Sequence, residues 1–167
     1  MLHEKLTESD VKKIQEEIEH RKLVIRKEAL ESVKEARAHG DLSENFEYKA
    51  AKQYKNQNES RIRYLERLLK NAEIIQDTYD ADQVGLNSMV EVYIPEDDET
   101  ETYKIVTSIR GSSVNGYISI ESPLGKALLG HKVGDLVEIS VNDAYKYQVK
   151  IQKISKVTEE NDEIRHF

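Results

Sequence analysis

The distribution of glycine and proline constrains the fold of this chain more than any other feature. Residues 1–84 contain one glycine, Gly40, and no proline, whereas six further glycines and both prolines follow Val84. Because these residues interrupt helices, a long stretch with one central glycine predicts two long helices joined by a tight turn. Gly40 can adopt the left-handed conformation with which helices often end.

Hydrophobic spacing also favours a hairpin of two helices. Before Gly40, apolar residues recur at steps of three, four or seven: Val11, Ile14, Ile18, Ile25, Ala29, Val33 and Ala36. After it, two series repeat by sevens: Ala51, Leu65 and Ala72, and Tyr54, Leu68 and Ile75. Such narrow stripes are typical of a two-stranded antiparallel coiled coil. Three polar residues weaken the second stripe, a pattern that can fix the register of a coiled coil: Gln57, Asn58 and Arg61.

From Ser88 onward the apolar residues alternate, which predicts about five short antiparallel strands. A helix is predicted between the third and fourth strands. Ser122 is suited to its N-cap, Pro123 to its first turn and Gly130 to the position after its end. The fold class is therefore α+β, a helical hairpin followed by a sheet with one helix. The predicted divisions are a hairpin over residues 1–76 with its tip at 38–45, a linker over 77–87, a sheet domain over 88–157 and an acidic, disordered tail over 158–167.

Composition excludes several classes of protein. The chain has no cysteine, which excludes disulfides, thiol nucleophiles and cysteine-bound zinc. It has no apolar run near the ~18 residues that a membrane span needs and no visible signal peptide, so we expect a cytoplasmic protein without a membrane partner. Its net charge of -7 divides into +1 for residues 1–76 and -8 for the remainder. This charge argues against a general nucleic-acid binder.

Charged residues near the turn suggest two kinds of chemistry. Residues 48–70 carry a net charge of +5, which could face a phosphate backbone or could be an ordinary solvated helix surface. Asp41 and Glu44 lie three residues apart at the predicted start of the second helix. They could form a capping box, with Asp41 as the N-cap. Alternatively, they could supply two of the six oxygens that Mg²⁺ requires, so that a partner completes the site.

Two long motifs resemble the family of bacterial transcript cleavage factors, GreA and GreB. The first runs from Glu35 to Asn45, with the central sequence His39-Gly40-Asp41-Leu42-Ser43-Glu44-Asn45, and continues in Glu47, Tyr48 and Ala51. The second comprises residues of the sheet domain: Ser119, Ser122, Pro123, Leu124, Gly125, Ala127, Leu128, Leu129, Gly134 and Asp135. The resemblance covers residues 7–157, and the length favours the GreA-like branch.

The resemblance implies an accessory factor that is not itself an enzyme. The coiled coil would enter the secondary channel of bacterial RNA polymerase, while an FK506-binding-protein-like domain would dock at the channel rim through a motif in the second domain: Ser119, Ser122, Pro123, Leu124 and Gly125. Asp41 and Glu44 would help to hold a Mg²⁺ ion shared with the polymerase, which then hydrolyses its own backtracked RNA. The isolated protein would bind no cofactor tightly and would be a monomer.

The resemblance also implies contacts near the tip. Contacts with the polymerase or with the nascent RNA 3′ end would come from five residues: Leu42, Ser43, Asn45, Phe46 and Tyr48. The basic residues nearest to RNA would be Arg37, Lys49 and Lys52. Phe46 departs from the small residue common in GreA-like proteins; it could stack on an RNA base or pack against the turn. Asn45 could instead cap a turn, and Tyr48 could hold the two helices together.

Two other functions remain open at this point. A family-like protein could enter the polymerase channel and inhibit RNA synthesis. A coiled-coil scaffold or chaperone could use the same acids only to cap a helix.

Overall fold

The computed structural model describes residues 3–40, 45–112, 114–157 and 164. The predicted acidic tail, 158–167, falls almost entirely outside these residues. The chain divides into two compact units: Met1–Glu4 with Glu8–Glu73, and Lys5–Thr7 with Ile74–Phe167. In the described part of the chain, no helix is both long enough and apolar enough to cross a membrane.

The first unit is the predicted helical hairpin. Its outward arm consists of α1 (Glu8–His20), a π-helical segment (Arg21–Ile25) and α2 (Arg26–Arg37), and its returning arm is α3 (Phe46–Lys70). Gly40 adopts a φ of 112°, so the turn uses the left-handed region that favours glycine. The two arms contain these buried residues: Asp10, Ile14, Ala29, Ala36, Asn58, Ile62, Leu65 and Leu68.

The hairpin contains a partly buried polar layer at the π-helical segment. The Arg21 carbonyl accepts both the backbone N–H of Arg26, five residues on, and the side-chain amide of Asn58 at 3.2 Å. Arg21 donates to Asn58 Oδ1 at 3.1 Å, and Asn58 is only 3% exposed. A side chain that inserts into the helical hydrogen-bond ladder explains the wider turn. Gln57, by contrast, is exposed and does not belong to this layer.

Glu17 connects the two arms in the same layer. It accepts hydrogen bonds from Arg21 Nε at 2.7 Å and from Arg61 Nε at 2.9 Å. Burial alone would raise the pKa of Glu17, but the hydrogen bonds and charges of Arg61 and Arg21 outweigh it and lower the pKa below its ordinary value of 4.5. The carboxylate therefore stabilises the hairpin above about pH 4.5, and this stabilisation is lost as pH falls through the lowered pKa.

We expect Glu17→Gln to lower the free energy of unfolding of the hairpin by about 1 to 3 kcal/mol at neutral pH, since charged hydrogen bonds across the arms are lost. The difference from the wild type should shrink as pH falls below about 4.5 and through the lowered pKa, where the wild-type carboxylate becomes protonated. Denaturant unfolding followed by far-ultraviolet circular dichroism measures both effects. Glu16→Gln, an exposed neighbour on the same helix, is the matched control. Equal losses for the two variants at neutral pH would contradict the assigned role of Glu17.

The base of the hairpin differs from the sequence-based prediction. The apolar repeat predicts a helix through Ile75, but α3 ends at Lys70. The chain then forms a short strand, β2 (Glu73–Ile74), beside another short strand, β1 (Lys5–Leu6). Backbone hydrogen bonds from Glu73 N to the Glu4 carbonyl and from Ile75 N to the Leu6 carbonyl, both 2.8 Å, replace the helical bonds. Pairing with a segment distant in sequence overrides local helical periodicity here.

The second unit is the predicted sheet with one helix. Its strands are β3 (Ser88–Ile94), β4 (Glu99–Val106), β5 (Tyr117–Ser119), β6 (Leu136–Ser140) and β7 (Lys146–Lys156), in the spatial order β5-β4-β3-β7-β6. The alternation of apolar residues places one face of the sheet in the core, which includes Val90, Val92, Ile105, Ile139, Val149 and Ile151. Leu128 of α4 (Pro123–Leu128) is fully buried in the same core.

One strand pair departs from the antiparallel expectation. β5 runs parallel to β4, with Ile105 opposite Ile118. After β4 the chain passes through a short 3₁₀ turn at Ser108–Arg110 before it enters β5 in the same direction as β4. The other three pairings of this sheet are antiparallel. The α+β class is confirmed, and the sheet is mixed.

Candidate functional site

The returning helix of the hairpin is capped by Asn45. Asn45 is the N-cap of α3: its Oδ1 accepts the backbone N–H of Tyr48 at 3.0 Å. Its Nδ2 donates to the Ala36 carbonyl at the end of α2, at 2.7 Å. The prediction of a capping box with Asp41 as the N-cap is therefore wrong, because α3 begins at Phe46. Four predicted tip residues lie outside the described residues: Asp41, Leu42, Ser43 and Glu44.

Two exposed contacts join the arms beside Asn45. Arg37 donates to the Tyr48 hydroxyl at 3.5 Å, and its guanidinium lies 5.5 Å from the centre of the Tyr48 ring. The hydrogen bond from Arg37 and the positive charges nearby lower the pKa of the Tyr48 phenol. His39 Nδ1 lies 3.3 Å from Glu47 Oε2. Because Tyr48 holds the arms together, its side chain is already engaged within the hairpin.

Phe46 is the most exposed described aromatic side chain near the tip. The side chain is 80% exposed, which contradicts the alternative in which it packs against the turn. The Lys49 ammonium lies 5.7 Å from the ring centre, within range of a cation–π interaction. Lys49 and Lys52 are both exposed on the same helix. An exposed aromatic ring therefore lies next to positively charged side chains. This combination is suited to binding a single-stranded nucleic acid, through base stacking and contact with phosphate.

The second sequence motif forms the start of α4. Ser122 is the N-cap: its Oγ accepts Gly125 N at 3.0 Å and donates to the Ser119 carbonyl at 2.7 Å. The Ser119 hydroxyl lies 2.8 Å from Ser108 Oγ and accepts Glu121 N at 3.0 Å. These contacts confirm the predicted cap at Ser122 and the helix start at Pro123.

A glycine is required at position 125 because there is no room for a side chain, and not because the backbone has a positive φ angle. A Cβ atom there would overlap the Ser119 carbonyl oxygen and would lie 2.9 Å from its carbonyl carbon. Leu124 is half-buried, whereas Pro123 is exposed at the first turn of α4. The motif therefore builds a rigid corner that leaves the Pro123 side accessible.

The acidic side chains of the tip are the type of ligand that Mg²⁺ prefers, but they are too few to fill its coordination shell. Carboxylate oxygens are the ligands that Mg²⁺ prefers, and Asp41 and Glu44 supply two side chains of this type. Mg²⁺ takes six oxygens, so the remaining ligands would have to come from water, phosphate or another protein. Among the described residues, no group of three or more acidic or histidine side chains could hold a metal ion.

Sequence reasoning missed the double role of Asn45. Asp41, Ser43 and Asn45 are all residue types that favour an N-cap, and helix propensity does not choose among them. Only the hydrogen bond to Ala36 distinguishes Asn45 from the other two candidates. That bond depends on how the two arms meet, so the sequence does not reveal it. The exposed pair His39 and Glu47 was likewise not predicted.

Comparisons with known proteins agree on one family across the chain. A family model described as "Transcription elongation factor, N-terminal" matches residues 4–74. A second, "Transcription elongation factor, GreA/GreB, C-term", matches residues 79–156. The chain is similar to Transcription elongation factor GreA of Thermoanaerobacter pseudethanolicus, with 46% identity over 90% of this chain and 96% of the relative.

Two further similarities were found. The chain is 42% identical to Transcription elongation factor GreA of Lachnoclostridium phytofermentans, over 89% of this chain and 94% of the relative. Among solved structures, it is similar to GreA factor homolog 1 (Gfh1) of Thermus thermophilus, with 28% identity, coverage of 92% of this chain and 99% of that chain, and a TM-score of 0.43.

Proposed function

The chain belongs to the GreA/GreB family of transcription elongation factors, and we propose that it stimulates RNA polymerase to cleave its own backtracked transcript. The hairpin enters the secondary channel of the polymerase, and the second unit docks at the channel rim. The protein contributes no complete active site of its own and acts as an accessory factor.

The observation that carries this proposal is the cap of α3. Asn45 performs the capping that would otherwise explain an acidic residue at the start of this helix. In the sequence, Asp41 and Glu44 precede that cap and lie between the two helical arms, of which the first ends at Arg37 and the second begins at Phe46. This weakens the purely structural explanation for the two acids and favours a role in metal binding.

The residues of the tip have separate roles in the proposed reaction. Asp41 and Glu44 would hold a Mg²⁺ ion together with ligands from the polymerase, and they would orient the attacking water by accepting its hydrogen bonds. When bound, Mg²⁺ supplies Lewis-acid stabilisation of the phosphate and lowers the pKa of water. Leu42 and Ser43 contact the polymerase or the RNA beside this site. Arg37, Lys49 and Lys52 supply positive charge toward the RNA backbone.

Docking is assigned to the corner built by the second motif. Ser119, Ser122 and Gly125 hold the backbone through the contacts described above, and this arrangement presents Pro123 to the solvent. The partially buried Leu124 adds apolar contact next to it. We propose that the polymerase rim recognises this rigid shape.

A cleavage assay on a defined backtracked complex tests the whole proposal. Addition of the wild-type protein should shorten the RNA from its 3′ end in the presence of Mg²⁺, whereas the protein without polymerase should leave the RNA intact. Binding that slows RNA synthesis without cleavage would support the inhibitor function instead. No binding to the cognate polymerase would favour a coiled-coil scaffold.

Phe46 provides an independent test of RNA contact at the tip. We expect Phe46→Ala to reduce cleavage about fivefold or more, since stacking of one base contributes about 1 to 3 kcal/mol, and to leave unfolding unchanged because the ring is 80% exposed. Phe46→Tyr should retain most activity. Tyr54→Ala, at an exposed aromatic farther along α3, is the control. Full activity of Phe46→Ala would exclude base stacking by this residue.

A further inference from the structure

The seven-residue repeat of the outward arm contains one extra residue. Ile14, which is buried, and Arg21, which bonds to Asn58 of the opposite arm, are seven residues apart. Ala29 and Ala36, which are both buried, are also seven residues apart. Between Arg21 and Ala29, however, the separation is eight residues. An uninterrupted α-helix turns by about 100° per residue, so it would carry Ala29 about 80° away from the side on which Arg21 lies.

The π-helical segment absorbs this extra residue. Its wide turn is closed by the hydrogen bond from Arg26 N to the Arg21 carbonyl, five residues back, and this turn returns Ala29 to the side that faces α3. Asn58 inserts at the same place. Its Nδ2 donates to the Arg21 carbonyl at 3.2 Å, and its Oδ1 accepts from Arg21 Nη1 at 3.1 Å. The wide turn therefore forms where the amide of Asn58 contacts it.

Without the wide turn, a different side of α2 would face α3. A repeat of seven continued from the base of the arm would turn Glu28 and Glu35 inward, and both are exposed in the observed structure. The part of α3 opposite α2 begins after Asn45 and reaches Glu59, which bonds to Arg26. This part of α3 carries three cations: Lys49, Lys52 and Lys55. Inward glutamates could form ion pairs with them, so the second arrangement has favourable contacts of its own.

We propose that Asn58 fixes the rotational phase of α2, that is, which of its residues face α3. In the observed phase the Ala36 carbonyl accepts from Asn45 at 2.7 Å, and Arg37 donates to the Tyr48 hydroxyl at 3.5 Å. Both contacts lie on the order of 20 Å along the arm from the π-helical segment. A polar side chain in the middle of the hairpin thus controls contacts at its far end, as one buried asparagine can set the register of a coiled coil. This inference concerns the fold of the hairpin and does not depend on the proposed function.

Asn58→Leu removes the amide that holds the wide turn. We expect α2 to populate both phases in this variant, which nuclear magnetic resonance would detect as two sets of amide signals for this helix. The pKa of the Tyr48 phenol should rise toward its ordinary value of 10.0, because Arg37 does not reach it in the second phase. The temperature of unfolding should be unchanged or higher, since leucine gains more than asparagine from burial in a helical seam.

Deletion of Leu23 supplies the second variant. Leu23 belongs to the π-helical segment and is 66% exposed, so its removal takes away the extra residue without removing a buried side chain. Combined with Asn58→Leu, the deletion restores a repeat of seven in a regular α-helix. We therefore expect one set of amide signals and a lowered pKa of Tyr48 in the combined variant. Gln57→Leu, at the exposed position beside Asn58, is the matched control and should keep the wild-type spectrum of α2.

Two results would overturn the inference. The first is one set of amide signals with a lowered pKa of Tyr48 in Asn58→Leu, because the wide turn would then form without the asparagine. The second is a loss of stability in Asn58→Leu that deletion of Leu23 does not restore, which would make Asn58 a stabilising contact and nothing more. Neither measurement uses RNA polymerase, so both test the inference whether or not the protein stimulates cleavage.

Discussion

The double variant Asp41→Asn with Glu44→Gln should lose RNA cleavage by at least about a hundredfold, because stabilisation by a bound metal ion contributes several kcal/mol to such a reaction. Both substitutions keep the size of the side chain and remove its negative charge. Binding to RNA polymerase should change little, since we assign docking to the second unit. Cleavage of defined backtracked complexes and a direct binding measurement test the two statements separately.

The matched control is Glu16→Gln with Glu19→Gln, which removes two charges from exposed positions of α1. This variant should cleave like the wild type. Undiminished cleavage by the tip variant would exclude the metal role of Asp41 and Glu44. Calorimetry of the free wild-type protein adds a second check: tight one-to-one Mg²⁺ binding without polymerase would contradict a site completed by the partner.

Gly125→Ala should produce the largest loss of stability in the second unit, about 3 kcal/mol or more. The added methyl group would overlap the Ser119 carbonyl, a backbone group that cannot move without disturbing β5 and the cap of α4. Thermal unfolding followed by near-ultraviolet circular dichroism of the tyrosines measures this loss. The variant should also bind polymerase more weakly, because the same corner carries the proposed docking surface.

Gly111→Ala is the matched control for this substitution. Gly111 has a φ of -61°, and an added Cβ would meet only ordinary contacts, the nearest at 3.4 Å. We expect a neutral effect or a gain of about 0.4 to 1 kcal/mol, since alanine restricts the unfolded chain. Equal stability of the two variants would refute the steric argument for Gly125.

Much of the architecture was predictable because local signals agreed with the fold. One glycine in the first 84 residues predicted the two helical arms, and Gly40 does adopt a left-handed φ. Ser122 and Pro123 predicted the start of α4 from capping chemistry alone. The alternation of apolar residues located the strands because it follows directly from the two faces of a sheet.

Two of the departures have one physical cause, which is contact between segments distant in sequence. The helix predicted through Ile75 ends at Lys70 because residues 73–75 bond to residues 4–6. The π-helical segment forms where Asn58 of the opposite arm inserts its amide. The parallel pairing of β4 with β5 was missed because strand direction depends on the intervening path of the chain.

At the tip, the sequence by itself determined which chemical groups are available. Asp41 and Glu44 are carboxylates beside a glycine turn, and the two motifs identified the family. Only the tertiary structure decided that Asn45 caps α3, because the choice among Asp41, Ser43 and Asn45 depends on the Ala36 carbonyl of the opposite arm. Helix propensity depends on neighbouring residues, whereas this cap depends on two helix ends that meet only after the hairpin has folded.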